Sequence, residues 1–184
     1  MDVLEANMKI NTSRVIRREV QSELPTITYT PITYKLAPAH EKLYKRIAEE
    51  KLVEFADGRE IDAISVQALR MALQQIVINW GEFADDASLK PAAMELVEEI
   101  LDELSPHGKL VVVANFIRTN RYLLKTLAPY GAVAIYGEVS TKDKQAALHR
   151  FINDASCRVL VIHPQSAGIG VDGLQHVCAD MLFL

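Results

Sequence analysis

Hydrophobic positions change their spacing along this chain, and each change predicts a different kind of element. From His40 to Ser105 apolar residues recur at helical intervals: Leu43, Tyr44 and Ile47 form one stripe, Leu69, Leu73, Ile76 and Val77 a second, and Met94, Val97, Ile100, Leu101 and Leu104 a third. Gly58 and Gly81 punctuate the region, and Asp85-Asp86-Ala87-Ser88 offers turn and capping chemistry ahead of the third stripe. Helical hairpins packed together are the expectation. After Pro106-His107-Gly108 the spacing collapses into a continuous β-branched run, LVVVAN, which suits a strand buried on both faces of a parallel sheet.

From there strands and helices alternate. A helix from about Arg118 to Ala128 leads to the short strand AVAIY. Ser140-Thr141-Lys142-Asp143 then opens, in the manner of a capping box, a helix carrying Ala147, Leu148, Phe151 and Ile152. The strands RVLVIH and DMLFL follow. This series predicts an α/β fold with right-handed crossovers, a parallel sheet flanked by helices, and ligand chemistry at the carboxyl ends of the strands. Upstream, TITYTPITYKLA alternates on both sides of Pro31 and predicts an interrupted edge strand that joins the sheet. The first residues, Met1 to Leu24, are polar, carry Arg14, Arg17 and Arg18, and end at Pro25, as expected of a short helix or arm. Three regions result: a basic arm or connector over 1–25, an edge strand with a helical subdomain over 26–105, and an α/β lobe over 106–184.

Bulk composition narrows the class only slightly. With 184 residues the chain holds one domain and an appendage. A net charge of -4 does not exclude nucleic acid as a partner, because binding depends on local patches. Two cysteines without a CxxC spacing give no support to a disulfide scaffold and suit a reducing, intracellular setting. No apolar run reaches the roughly 20 residues of a membrane span, and the N-terminus lacks a signal-peptide layout, so a soluble, non-secreted protein without a membrane partner is expected.

The densest candidate chemistry is RVLVIHPQSAGIGVDGLQ, a buried strand running into a loop of small residues. Gly168, Gly170 and Gly173 permit positive φ and close backbone approach, and exposed N–H groups there can bind phosphate. Asp172 can accept from a ribose hydroxyl, while Gln165 and Ser166 can hydrogen-bond a nucleic-acid backbone. A tight strand-to-helix connection would use the same residues. His149, His163 and His176 with Cys157 and Cys178 lack compact zinc-ligand spacing, so no metal site is expected among them. Glu95, Glu98, Glu99, Asp102 and Glu103 fit the solvated side of a helix. Arg118, Arg121 and Lys125 lie at roughly helical spacing and suit phosphate contact and surface solubility equally. Trp80, next to an apolar stripe, suits a core cap better than base stacking.

Three segments in order carry a resemblance. KLVVVANF is similar to the motif IV strand, IYGEVSTKDKQAALHRF to the glycine-then-helix segment, and VLVIHPQSAGIGVDGLQHVCADMLF to motif V of the second RecA-like lobe of Swi/Snf-type superfamily 2 helicases and ATPases. RVIRREVQSELPTITYTPITYKLAPAHEKLYKRI resembles that family's connector, so the likeness covers nearly the whole chain. It implies a lobe that couples nucleotide to grip on DNA for translocation or remodelling. Gly170 and Asp172 would couple to nucleotide; Asn115, Gly137, Gln165 and Ser166 would contact the nucleic-acid backbone. The implied partners are double-stranded DNA and a first RecA-like lobe, with ATP and Mg bound only in the complete two-lobe protein. Lys144 departs from the pattern, standing where the family commonly has Arg and lacking the bidentate fork. No G-x-x-x-x-G-K-[ST] or DE-x-[HD] box occurs, and motif VI would lie beyond Leu184, so this chain alone is not expected to hydrolyse ATP. Two other readings use the same residues: a non-catalytic RecA-like binding module, or another α/β enzyme that binds a nucleotide or sugar phosphate.

Overall fold

The structure is a computed structural model that describes residues 27–50, 52–54, 60–62, 66–79, 90–167 and 171–184. The chain divides into two units, 1–33 and 34–184. In the first, residues 27–33 have no regular secondary structure, and Ile27, Tyr29 and Ile32 are exposed. The edge strand expected over 26–37 is thus not formed in the described residues 27–37. Its alternation is real, but a strand is held by its ladder: Pro31 has no N–H to donate to one, and Pro38 ends the run by opening a helix. The arm over 1–25 lies outside the described residues.

The second unit begins with helix α1 (Pro38–Glu50), whose Leu43 and Ile47 pack with Ile76 of helix α2 (Val66–Ile78). Between them β1 (Leu52–Glu54) and β2 (Glu60–Asp62) pair antiparallel, Val53 opposite Ile61. The helical reading of 40–105 misses this hairpin. Helix α3 (Ala92–Glu103) follows Pro91 and buries Ala93, Met94, Val97 and Leu101.

The α/β lobe is built as its hydrophobic runs predict. Strands β3 (Leu110–Val113), β4 (Val133–Ile135), β5 (Val159–Ile162) and β6 (Asp180–Phe183) form a parallel sheet in the order β4-β5-β3-β6. Helix α4 (Ile117–Thr126) joins β3 to β4, α5 (Thr141–Asn153) joins β4 to β5, and the helical turn α6 (Pro164–Ala167) leaves β5. Successive side chains of a strand point to opposite faces. Leu110, Val112, Ala114, Val159 and Val161 accordingly meet Met94, Val97 and Leu101 of α3 and Leu123 of α4 on one face. Val111, Val113, Leu160 and Ile162 meet Phe151, Ala147 and Leu148 of α5 on the other. Both faces being covered, β3 and β5 are buried at every position.

The amino edge of this sheet is braced by two cations. Arg158 donates to the carbonyls of Leu101, Ser105 and Gly108, which ties the end of α3 to the start of β5. The Lys109 ammonium donates to the carbonyls of Phe151 and Asp154 at the end of α5. Backbone acceptors consume both groups.

Candidate functional site

At the carboxyl edge the strand order does the positioning. Because β5 lies between β4 and β3, the segments that leave these three strands are neighbours although far apart in sequence. Ala114 N–H donates to Ile162 O at 3.0 Å, and His163 N–H donates to Ile135 O at 2.9 Å, so the three strand ends are held level. Ser166 N–H donates to His163 O at 2.9 Å, which turns the chain into α6 immediately after β5.

This arrangement brings four of the sequence-derived residues to one edge. Asn115 follows β3 and is exposed; Gly137 follows β4 and is exposed; Gln165 and Ser166 lie on α6, the first exposed and the second half-buried. A methyl group placed on Gly137 would lie 3.9 Å from Ser166 Oγ, so these two turns approach to contact distance. The edge therefore offers a hydroxyl, two carboxamides and backbone groups in adjacent turns, a set able to hydrogen-bond phosphate and sugar oxygens.

Two buried or half-buried residues shape it. Asn120 is fully buried on α4 and its Nδ2 donates to Ala114 O at 3.0 Å and Phe116 O at 2.7 Å. His163 Nε2 lies 3.0 Å from Asn115 O; since a carbonyl only accepts, the ring nitrogen donates. Sequence spacing gives no reason to single out either, and no short-range pattern could do so for His163, whose partner lies 48 residues away.

Charge is present but partly paired. Arg121 of α4 forms an exposed ion pair with Glu138, next to Gly137, and that carboxylate raises the arginine's pKa. Asp172 is exposed; its carboxylate accepts from Gln175 Nε2 at 3.1 Å and Gly173 N–H at 2.8 Å, contacts that hold its pKa below the usual value. It stays ionised and is an acceptor, as a ribose contact needs. Gly170 and its neighbour Gly168 lie outside the described residues, as does Trp80.

The remaining candidates take structural places. Cys157 and Cys178 are free thiols whose pKa values burial pushes up. Glu98 pairs with Lys90, and Asp102 accepts from Tyr130 Oη at 3.4 Å, as a solvated helix face would. Among the described residues no group of three or more His, Cys, Asp or Glu could hold a metal ion, and no helix is long and apolar enough to cross a membrane. Asp172 is an ionised, exposed acceptor of the kind a nucleotide's hydroxyls need.

Comparison with known proteins bears on the fold. No family model matches the chain. An uncharacterized ATP-dependent helicase of Mycoplasma pneumoniae is 23% identical over 164 residues, a match that covers 86% of this chain and 16% of that protein. The chain thus spans about one sixth of that relative. Among solved structures, the Sulfolobus solfataricus SWI2/SNF2 ATPase C-terminal domain superposes with a TM-score of 0.54 at 20% identity, covering 80% of this chain and 67% of that one. The SWI2/SNF2 ATPase core of the same organism in complex with dsDNA gives a TM-score of 0.50 at 20% identity over 70% of this chain and 29% of that one. With its parallel order β4-β5-β3-β6 and helices on both faces, the chain has the fold of the C-terminal, RecA-like lobe of a SWI2/SNF2-type ATPase.

Proposed function

We propose that this chain is the second lobe of a nucleic-acid-dependent ATPase and grips a DNA strand along the carboxyl edge of its sheet. The observation that carries the reading is the convergence of Asn115, Gly137, Gln165 and Ser166 on that edge. In this account Asn115 and Gln165 supply carboxamide donors and Ser166 a hydroxyl to the phosphate backbone, while Gly137 leaves room for close approach. These contacts position the strand without reading its sequence. The Sulfolobus core in complex with dsDNA supports duplex DNA as the partner.

Nucleotide is brought by the first lobe. Asp172 and Gly170 are proposed to meet it when the lobes close; ATP and Mg belong to the complete protein, and the helicase match of Mycoplasma pneumoniae supports ATP as the fuel. Closure around ATP would then change lobe spacing while this edge holds the strand, which is how such a motor moves or remodels duplex DNA. An intracellular location follows from that partner.

Binding of a short fluorescent duplex, followed by anisotropy at low salt, tests the reading. The chain is expected to bind, and Asn115→Ala with Gln165→Ala to weaken binding by about tenfold, two polar contacts at roughly 0.5–1.5 kcal/mol each. Unchanged affinity in the double variant would overturn it.

A further inference from the structure

The β3 to α4 turn is held in an unusual way. Its three successive carbonyls, those of Ala114, Asn115 and Phe116, are each taken by a side chain: the first and third by Asn120 Nδ2, the middle one by His163 Nε2. Asn120 belongs to the helix that the turn leads into, so its hold is local. His163 follows a different strand, β5, and its own N–H and C=O are already fixed, to Ile135 O at 2.9 Å and by Ser166 N–H at 2.9 Å. One residue therefore ties the end of β4, the start of α6 and the turn that presents Asn115.

We infer that His163 is the positioning residue for the Asn115 contact: its Nε2–H sets the Asn115 peptide, and with it the exposed carboxamide, in register with Gln165 and Ser166 on α6. This rests on the proposed grip of DNA at the same edge. Preorganising a donor spares the ordering cost that a free turn would bear on binding. It also makes the Asn115 turn follow any shift of the β5 to α6 segment, which continues toward Asp172.

Amide isosteres separate this role from mere packing. In His163→Gln the side-chain amide nitrogen reaches about where Nε2 lies; in His163→Asn it falls short, near Nδ1. Two measurements are made on each: hydrogen exchange over residues 114–117 without DNA, and affinity for a short fluorescent duplex. His163→Asn is expected to speed exchange there and weaken duplex binding, each by about fivefold for one neutral hydrogen bond. His163→Gln is expected to restore both. Introduced into Asn115→Ala, His163→Asn is expected to add no further loss of affinity. Exchange unchanged in His163→Asn, or a Gln variant as impaired as the Asn variant, would overturn the inference. If Asn115→Ala leaves duplex affinity intact while exchange responds as described, the DNA contact fails and the positioning of the turn stands.

Discussion

Gly131 occupies the sharpest constraint in the lobe. It ends the 3-10 turn Ala128–Tyr130 at φ 69°, and a β-carbon there would lie 2.2 Å from Ser156 O. An L side chain is strained in that conformation even before the collision. Gly131→Ala is expected to cost at least about 2 kcal/mol of unfolding free energy, read from the urea midpoint; an unmoved midpoint would contradict the placement. Asp154 yields a second expectation. It accepts from Ser156 Oγ at 2.7 Å and Ser156 N–H at 2.8 Å and from Arg150, and the Ser156 bonds lead in holding its pKa below the ordinary 3.8. A carboxyl depressed in the folded state adds stability above its unfolded pKa and loses it as pH falls through the folded value. Asp154→Asn should therefore flatten the acid limb of a stability against pH profile, below about pH 4, leaving the neutral region unaltered in shape. At this scale sequence is informative where chemistry is local. Ser140 caps α5 through Asp143 N–H, as its capping pattern implies. His163 and Asn120 stay hidden because their partners are backbone carbonyls, which leave no trace in residue type.

Elements of the lobe are legible because burial on both faces of a sheet demands unbroken β-branched runs. LVVV and VLVI form β3 and β5 for that reason. The hairpin of Leu52–Glu54 and Glu60–Asp62 is not, since three-residue strands are too short to show a period of two, although Asp57-Gly58 is a sequence signal for a hairpin turn. The connector misleads in the opposite sense: its alternation promises a strand, and residues 27–37 have no ladder to join. Lys109 also belongs to this scale, because it fastens β3 to α5. Its ammonium donates to Phe151 O and, at 2.9 Å, to Asp154 O, and stands 5.1 Å from the Phe151 ring centroid. Removing it leaves helix-end carbonyls without a cation, so Lys109→Ala is expected to lose about 2 kcal/mol, measured by thermal unfolding. An unaltered melting temperature would show that the clamp carries little.

For the whole molecule, the order β4-β5-β3-β6 decides which residues meet, and hydrophobic periodicity contains no information about it. The resemblance to a known lobe supplies what the pattern lacks, since it groups Asn115, Gly137, Gln165 and Ser166 without reference to strand order. The two edges of the sheet differ in kind: at the amino edge Lys109 and Arg158 are spent on backbone carbonyls, while the carboxyl edge presents exposed polar groups. The proposed grip on DNA uses the second edge. Hydrogen exchange of this chain with and without duplex DNA distinguishes the edges directly. A grip at the carboxyl edge predicts slowed exchange over residues 114–117, 136–139 and 163–167, with the amino-edge turns over 105–109 and 154–158 unaffected. Slowed exchange confined to the amino-edge turns, or none at the carboxyl edge with saturating duplex, would contradict it.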